Sequence, residues 1–394
     1  MSGGPGDHPG DVSLREVLAR SYAGRRVLVT GHTGFVGAWL ALALARAGAE
    51  VTGFSLSPES GALGETARVG DVVSSVTGDV RDLDALCAVV ARCEPEIVLH
   101  LAAQALVLPS VTDPVGTFTT NVIGTANLLE ALRVAGRRAA CVVVTSDKCY
   151  ATADAAHLES DPLGGDDPYS ASKAGAELVV HAYRSTVADV GRPFIASARA
   201  GNIIGGGDVA ASRVVPDCIR AIAAGAPVRL RRPQAVRPWQ HVLDALAGYV
   251  RLGDALSRGE PGAATAWNFG PPPAASATVL DVSRAVVEAW RRCGGRALDP
   301  VGAEQDSPER SSLRLESTKA VTALGWSTLL ALPDALEWTV AWYHAATVRG
   351  APAATLCTEQ IDRYLELEEA GRDRGAARPP TLGSGASVVA LGTR

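Results

Sequence analysis

Lysine is scarce in this sequence of 394 residues, since it supplies only three of the 37 lysine and arginine residues. Acidic residues outnumber basic ones, and the formal net charge at pH 7 is −5. Proteins that bind nucleic acids or anionic membranes through general electrostatics usually carry a strongly basic surface instead. We therefore predict neither a nucleic acid nor a membrane as a partner. Individual arginines can still bind anionic groups.

Long apolar runs and paired cysteines are missing as well. No stretch reaches the roughly 18 apolar residues of a membrane-spanning helix, and the first residues, MSGGPGDHPGD, lack the pattern of a secretory signal. These absences predict a cytoplasmic protein. The seven cysteines are scattered, without a CxxC pair or a Cys/His cluster at zinc spacing. We expect reduced thiols in the core and no metal site.

What the sequence does have is an alternation of short apolar strands and amphipathic helices. Such alternation is typical of a parallel sheet with helices on both faces. We predict an α/β protein, a Rossmann-type doubly wound parallel sheet with a smaller C-terminal substrate-binding lobe. The predicted strands are 26–30, 51–56, 76–80, 97–102, 141–146, 194–200 and 267–269, and the predicted helices include 35–47, 83–93, 115–134 and 170–185.

The first strand is followed by a glycine motif, Gly31, Gly34 and Gly37, at the start of a helix. In this context the first glycine permits a tight turn, the second lets the backbone approach a pyrophosphate, and the third lets helix and strand pack closely. The N–H groups near Phe35 and Val36 would bind the pyrophosphate. The motif therefore predicts a dinucleotide site, with Thr33 inside it. The alternative is a glycine turn that serves only packing.

The rest of the dinucleotide site is predicted from the ends of the following strands. The second strand ends at Ser55, where neither a carboxylate for the NAD ribose nor an arginine for the NADP phosphate is present. We predict NAD, and this stretch does not exclude NADP. Asp79 and Val80 would bracket the adenine. The remaining candidates follow the fourth and fifth strands or brace them, and they are Leu101, Ala102, Ala103, Gln104, Asn121 and Thr145. For Asn121, a plain helix asparagine is the alternative.

Tyr169 and Lys173 lie four residues apart in DPYSASKAGAEL, which places them on one face of a helix. An ammonium beside a phenol favours the phenolate and lowers the pKa of the tyrosine. The phenolate could then take a proton from a substrate alcohol while hydride leaves the same carbon for the nicotinamide. We predict this role for the pair. The alternative is a half-buried tyrosine with a solvated lysine.

A second lysine, Lys148, follows Asp147 at the end of the fifth strand, the edge at which open α/β sheets bind ligands. Arginine would stay charged there, whereas lysine can exchange a proton in a dry pocket. We therefore predict acid–base chemistry for Lys148, with a structural partnership with Asp147 as the alternative. The third lysine, Lys319, is predicted to lie on the surface.

These motifs, together with HLAAQALV, TNVIGT, VTSDKCY, SARAGNIIGGGD and RPWQHVLDALAGY, make the chain similar to the extended short-chain dehydrogenase/reductase (SDR) family. Within that family it resembles the CDP-glucose 4,6-dehydratases, over about residues 25–330. The resemblance implies that NAD transiently accepts hydride from C4 of a CDP-hexose, giving a 4-keto-6-deoxy sugar. Tyr169 would be the base for the 4-hydroxyl and Ser146 would bond the 4-oxygen. Asp147 would protonate the leaving 6-hydroxyl, and a base near Lys148 would remove the C5 proton.

The resemblance also implies the substrate contacts and a homodimer formed through helices 115–134 and 170–185. Candidates for binding the substrate are Gln104, Ser146, Asn202, Arg213, Arg237 and His241. Trp239, Gln240 and His241 could equally pack the smaller lobe. We divide the chain into a flexible N-terminal arm (1–23), a dinucleotide-binding domain (24–202, with a strand returning near 266–270), a mainly substrate-binding lobe (203–348), and a terminal helix with a disordered tail (349–394).

Three positions depart from the family pattern. Leu108 and Val111 stand where an arginine and a tyrosine are usual beside the predicted sugar pocket, and Ala151 replaces a polar residue. These changes keep two other functions open. The chain could be an epimerase or a dehydrogenase acting on another nucleotide sugar or nucleoside, or a dinucleotide-binding regulator without catalysis. A regulator would be expected to have lost the Tyr169–Lys173 pair.

Overall fold

The computed structural model describes residues 12–136, 138–152, 156–186, 194–272, 276–302 and 313–373. The strands are β1 Arg26–Thr30, β2 Glu50–Ser55, β3 Ser74–Thr77, β4 Ile97–His100, β5 Ala140–Val144, β6 Ala156–His157, β7 Phe194–Ala200, β8 Asn202–Ile204, β9 Arg229–Leu230, β10 Val236–Arg237, β11 Trp239–His241, β12 Ala266–Phe269, β13 Ala277–Thr278, β14 Val301–Gly302 and β15 Arg314–Leu315. The helices are α1 Leu14–Ser21, α2 Phe35–Arg46, α3 Leu63–Thr66, α4 Leu83–Cys93, α5 Val107–Thr112, α6 Pro114–Phe118, α7 Gly124–Val134, α8 Pro168–Thr186, α9 Val214–Ala223, α10 Val242–Ser257, α11 Val279–Arg292, α12 Thr318–Leu324, α13 Leu332–Val348 and α14 Ala353–Asp373.

Seven strands form one parallel sheet in the order β12-β7-β5-β4-β1-β2-β3. The predicted doubly wound α/β fold is thus confirmed. The direction in which successive strands are added to the sheet reverses at β1, because β2 and β3 lie on one side of it and β4 lies on the other. The carboxyl ends of strands at such a point form the crevice in which ligands bind. The last strand, β12, comes from far along the chain and pairs with β7.

Alternate side chains of the strands pack into two separate cores. Val27 and Val29 of β1 face the larger core, which contains α2 and α10, whereas Leu28 faces the smaller core under α4, α7 and α8. A strand with both faces buried therefore reads as a continuous apolar run. Helix α10 is buried from Val242 to Leu256 and packs on β5 and β7. It lies on the main sheet although its residues fall in the predicted substrate lobe.

The predicted helix 115–134 is interrupted. α6 ends at Phe118, one π-helical turn follows at Thr119–Ile123, and α7 continues from Gly124. Extra residues in a helix of this kind shift its register and often occur beside functional sites. The shift turns the side chain of Asn121 into the interior, where it is 2% exposed.

The N-terminal arm proves to be ordered in its second half. Ser13 caps α1 with a capping box closed by Glu16, and Leu14, Val17 and Leu18 are buried against α10 and α14. The expectation of a loose arm was wrong for these residues, because the helix has both a cap and an apolar face. Residues 1–11 and the tail from 374 lie outside the described residues. No helix in the described part of the chain is long and apolar enough to cross a membrane.

Candidate functional site

A cleft of about 1090 Å³ opens at the carboxyl edge of the sheet. It runs from the turn after β1, past the ends of β4 and β5, to the segments around α9 and β9. Every predicted site residue lines it except Asn121 and His241. The residues brought together are Gly31, Thr33, Gly34, Phe35, Val36, Gly37, Ser55, Asp79, Val80, Leu101, Ala102, Ala103, Gln104, Thr145, Ser146, Asp147, Lys148, Tyr169, Lys173, Asn202, Arg213 and Arg237.

The glycine turn at one end of the cleft leaves no room for side chains. Gly31 has φ +75°, and a Cβ there would lie 2.7 Å from the backbone nitrogen of Ala102. A Cβ on Gly37 would lie 2.1 Å from the carbonyl oxygen of Gly31. The N-cap of α2 is Gly34, so no side chain occupies the helix N-terminus. This cradle fits the pyrophosphate of a dinucleotide, because bare backbone N–H groups at a helix start bind anions.

The predicted adenosine end of the cleft is built from small hydroxyls and an ion pair. The hydroxyl groups of Thr33 and Ser55 lie 2.7 Å apart. Asp79 is paired with Arg81 at 2.6 Å, and this arginine holds the pKa of the Asp79 carboxyl below its usual value. Arg81 also lines the cleft. The ribose side therefore presents neutral hydroxyls rather than the carboxylate usual in NAD enzymes.

Asn121 acts as a brace beneath the cleft. Its amide exchanges hydrogen bonds with the backbone of Gln104, at 2.8 and 3.0 Å, and donates to Ser172 of α8 at 2.8 Å. It thereby ties the loop after β4 to the helix that carries Tyr169. These bonds agree with the bracing role predicted for Asn121, and its side chain does not line the cleft because the π-helical turn points it inward. The side chain of Gln104 forms hydrogen bonds with the backbone of Leu106 and the hydroxyl of Thr117.

Tyr169 and Lys173 both point into the cleft from the first half of α8, but they do not form the expected direct pair. Burial raises the pKa of Tyr169 to about 12, while Ser146, a hydrogen-bond partner of its hydroxyl, opposes the rise. Burial lowers the pKa of Lys173 to about 8. The ammonium of Lys173 donates to the carbonyl oxygen of Val144 at 3.3 Å. The lowered tyrosine pKa expected from the sequence is therefore wrong for the protein alone, since desolvation of the phenol is the largest effect and the ammonium of Lys173 is directed at Val144 instead.

The residues Ser146, Asp147 and Lys148 form a tight turn after β5. The Ser146 hydroxyl caps this turn by accepting from the Lys148 backbone at 3.2 Å and donates to Asp147 at 2.9 Å. Burial raises the pKa of the Asp147 carboxyl, although Lys148 and Arg237 oppose this. The Lys148 ammonium lies 5.9 Å from the ring centre of Tyr169. Within the described residues the second Asp147 oxygen has no hydrogen-bond partner.

At the other end of the cleft are the predicted substrate residues. Arg213 pairs with the buried Asp208 at 3.0 Å, Arg237 is 4% exposed, and Asn202 lies where β8 pairs with β11. His241 is fully buried instead. Its ring lies 6.4 Å from that of Trp39 and 5.9 Å from that of Trp338, and burial lowers its pKa to about 3. His241 thus belongs to the core, and we remove it from the substrate-binding set.

Sequence reasoning missed several residues that line the cleft. Arg229, Arg231 and Arg232 add positive charge beside Arg213 and Arg237. The arginine-rich run RLRRPQAVRP was a visible signal for them. Tyr249 is fully buried, lines the cleft from α10, and its hydroxyl has no partner among the described residues. Its signal was hidden, because a tyrosine in an apolar helix usually reads as core.

Other expectations are also corrected by the structure. Leu108, Val111 and Ala151 are not among the residues that line the cleft, and Val111 is 53% exposed. The departures from the family pattern therefore lie outside the pocket wall. Lys319 is half-buried rather than superficial: it donates to Thr265 and Ala266 and lies 4.1 Å from the ring centre of Trp267. It fastens α12 to the edge strand β12.

Comparison with known proteins agrees with this geometry. Residues 27–270 match the model of the NAD dependent epimerase/dehydratase family. The chain is 39% identical over 352 residues to a CDP-glucose 4,6-dehydratase of Salmonella typhimurium, covering 87% of this chain and 97% of that one. It is 30% identical over 326 residues to a UDP-glucose 4-epimerase of Mycolicibacterium smegmatis, covering 81% and 98%.

Solved structures agree in fold. A dTDP-glucose 4,6-dehydratase of Streptomyces venezuelae with NAD bound superposes with a TM-score of 0.70 at 23% identity, covering 84% of this chain and 99% of that one. The family match spans the glycine turn, the Ser146–Lys148 turn and the Tyr169–Lys173 pair. The chain belongs to the NAD dependent epimerase/dehydratase family, within the extended SDR enzymes.

Proposed function

We propose that this protein is an NAD-dependent nucleotide-sugar 4,6-dehydratase that converts CDP-glucose, or a related CDP-hexose, to the 4-keto-6-deoxy sugar. The observation that carries the proposal is the Asp147–Lys148 turn beside Tyr169 in one cleft. The 39% identity to a CDP-glucose 4,6-dehydratase over nearly the whole of both chains supports the same reaction. Net loss of water requires a group that oxidises C4, an acid for the 6-hydroxyl and a base for the C5 proton.

The side chains can fill these three roles. Tyr169 takes the proton of the sugar 4-hydroxyl, and Ser146, already its hydrogen-bond partner, bonds the 4-oxygen. Bound NAD would supply the acceptor for the hydride that leaves C4 and the hydride that finally returns to C6. Lys173, which is buried on the same face of α8, supplies a positive charge to the cleft when its amine is protonated. Because burial raises the pKa of Tyr169, a cationic environment is needed for it to act as a base.

Elimination uses the turn. Once C4 is a ketone, the proton at C5 becomes acidic and can pass to a base near Lys148. The raised pKa of Asp147 favours its protonated form, which donates a proton to the departing 6-hydroxyl. The C6–oxygen bond breaks, water leaves, and a double bond forms between C5 and C6. The double bond is removed when C6 receives hydride and the base returns its proton to C5. The acid of the elimination is thus Asp147, and the base is a separate group near Lys148.

The nucleotide end is supported by charge. Arg213 and Arg237, with Arg229, Arg231 and Arg232, face the cleft where a diphosphate would lie, and guanidinium groups bind phosphate oxygens in pairs. Asn202 and Gln104 complete the proposed set. The proposed substrate carries cytosine as its base and glucose or a related hexose as its sugar. We also propose the cytoplasmic location that was predicted from the sequence.

We also propose that the protein forms a homodimer. Large apolar side chains are exposed on α6, the π-helical turn and α8, with Val115 72%, Phe118 40% and Leu178 60% exposed. Two small residues, Ala171 and Ala182, lie on the same face of α8 as Leu178 and would let another helix approach closely. A two-fold interface uses one patch on both partners, so an apolar face of this kind suits a homodimer.

The decisive experiment is incubation of the purified protein with NAD and CDP-glucose. The proposal expects a product lighter by one water, with the alkali-induced absorbance of a 4-keto-6-deoxy sugar. The 30% identity to a UDP-glucose 4-epimerase makes epimerisation the second candidate. A product of unchanged mass with inverted C4 would establish that candidate and overturn ours. UDP-glucose and dTDP-glucose serve as competing substrates, and Tyr169→Phe as the inactive control.

A further inference from the structure

An ion pair that takes no part in the proposed chemistry lies directly behind the site. Glu177 of α8 and Arg199 of β7 are joined at 2.7 Å, with their side chains only 3% and 4% exposed. Burying two charges carries a large desolvation cost, and well-packed apolar residues often serve stability equally well. Stability alone therefore explains poorly why both charges are placed here.

The pair holds both ends of the Ser146–Lys148 turn. The hydroxyl of Thr145, which precedes the turn, donates to Glu177 at 2.5 Å. Arg199 donates to the hydroxyl of Tyr150, which follows the turn after Cys149, at 2.8 Å. The Tyr150 hydroxyl in turn donates to Asn268 of β12 at 2.6 Å. A segment of only four residues is thus fixed on both sides through one carboxylate and one guanidinium.

The same pair also connects this turn to the helix of the proposed base. Tyr169, Lys173 and Glu177 follow each other at intervals of four residues along α8, so they share one helix face. Glu177 therefore links the position of the turn to the position of Tyr169. A small displacement of the turn relative to Tyr169 would separate the sugar C4 from Tyr169 or the C6 oxygen from Asp147.

We propose that Glu177 and Arg199 form a positioning pair that fixes the position of the Ser146–Lys148 turn relative to Tyr169, so that one bound sugar can be both oxidised and dehydrated. This inference rests on the proposed function. Neither residue touches the substrate. Their effect is exerted through Thr145 and Tyr150, and it is needed most in the elimination step, which uses the turn itself.

Tyr150→Phe tests the link without disturbing the charges. It deletes the hydroxyl that joins Arg199 to the turn and keeps the ring stacked on His157 at 4.3 Å. The matched control is Ser197→Ala. The Ser197 hydroxyl donates to the same Glu177 carboxylate at 2.7 Å but lies on β7, away from the turn. Both variants lose one buried hydroxyl bonded to the pair, so a purely structural role would affect them alike.

For Tyr150→Phe we expect turnover to fall about 10- to 100-fold with KM nearly unchanged, because misplacement of about 1 Å costs this much in rate. In a single turnover the absorbance of reduced nicotinamide should rise at the wild-type rate and then decay slowly. Ser197→Ala should keep wild-type kinetics. Equal slowing of both phases in Tyr150→Phe, no slowing at all, or the same effect in Ser197→Ala would overturn the proposal.

Hydrogen–deuterium exchange separates this inference from the proposed function, since it requires no turnover. Tyr150→Phe should increase exchange of the amides in 146–151 while leaving β5 and α8 protected, and Ser197→Ala should not increase it. Unchanged exchange in 146–151 would overturn the positioning role in a protein of any activity. A wild-type protein that fails to dehydrate any nucleotide sugar, yet shows this exchange pattern, would refute the proposed function and leave the mechanical link standing.

Discussion

The ammonium of Lys173 lies 3.3 Å from the carbonyl oxygen of Val144, the last residue of β5, and donates a hydrogen bond to it. The lysine is thus directed at the end of a strand rather than at the phenol of Tyr169. Its charge is buried, and burial lowers its pKa to about 8, against an ordinary value of 10.5. Lys173 is therefore held in the protein at a cost in stability.

Replacement of this lysine should separate stability from activity. Below the lowered pKa the folded protein must bury a charged ammonium, whereas above 10.5 the lysine is neutral in both states. Lys173→Met should therefore be more stable than wild type at about pH 7, by on the order of 3 kcal/mol, with the gain shrinking as pH rises from about 8. Turnover should fall at least about 100-fold. Urea unfolding at several pH values measures the first effect. An equal or lower stability at neutral pH would contradict it.

The glycine cradle gives a prediction with a matched control. Gly31→Ala should abolish measurable NAD binding in calorimetry, because the added Cβ would meet the Ala102 backbone in a left-handed conformation. Gly259→Ala shares the positive φ, at +67°, but nothing lies within 4 Å of its Cβ. It should lose only about 1–2 kcal/mol of stability and bind NAD normally. Normal NAD binding by Gly31→Ala would exclude this turn as the dinucleotide site.

Much of this architecture could be predicted from sequence because it is determined locally. The glycine turn and the short apolar strands reflect backbone geometry and burial on both faces, so β1 and β7 begin and end at the predicted residues. The helix α1 was readable in the same way from its capping box, Ser13 with Glu16, but its Gly- and Pro-rich neighbours concealed it.

The errors arose where partners come from distant parts of the chain. His241 is enclosed by Trp39 and Trp338, and no local pattern shows that these rings meet it. Helical spacing correctly put Tyr169 and Lys173 on one face, yet it could not reveal that Val144 receives the ammonium. The prediction of a surface position for Lys319 failed in the same way, because its contact with the ring of Trp267 joins distant parts of the chain. Such contacts depend on tertiary packing, which spacing along a helix does not record.

Tyr249 should show opposite changes in stability and activity. Its hydroxyl is fully buried, lines the cleft and lacks a partner among the described residues. An unpaired buried hydroxyl costs about 1–3 kcal/mol, so Tyr249→Phe should be at least as stable as wild type. We expect its turnover to drop about 10-fold, since the hydroxyl can meet a substrate oxygen beside Asp147. Thermal unfolding and steady-state kinetics check both. Wild-type kinetics would show that the hydroxyl does not meet the substrate.

The exposed face of α8 predicts how the homodimer can be broken. Leu178→Glu places a charge in the proposed interface, where Leu178 is 60% exposed in the single chain. Light scattering should then report a monomer at concentrations at which the wild type is a dimer. Leu298→Glu is the control, because Leu298 is similarly exposed, at 52%, outside this face. A wild-type monomer, or a Leu178→Glu dimer, would refute the interface.

Two aspartates on α10 should respond to pH in opposite directions. Burial raises the pKa of Asp244 to about 7, although it accepts hydrogen bonds from Leu329 and Tyr364. Asp254 has a lowered pKa, because hydrogen bonds from Arg20 and Arg258 outweigh its burial.

For Asp244 the folded state keeps its proton up to about pH 7, whereas the unfolded state loses it above about 4, so its contribution to stability falls across this window. Asp244→Asn should consequently be more stable than wild type at about pH 8, and this gain should vanish near pH 4. Asp254→Asn should be less stable at about pH 8, because the wild-type carboxylate contributes stability above its unfolded pKa and loses it as pH falls. Chemical unfolding of the three proteins at both pH values decides the matter. If Asp244→Asn is destabilised at pH 8 as much as Asp254→Asn, then Asp244 is charged in the folded protein, and the terminal helix α14 is held through Tyr364 by a carboxylate rather than by a carboxylic acid.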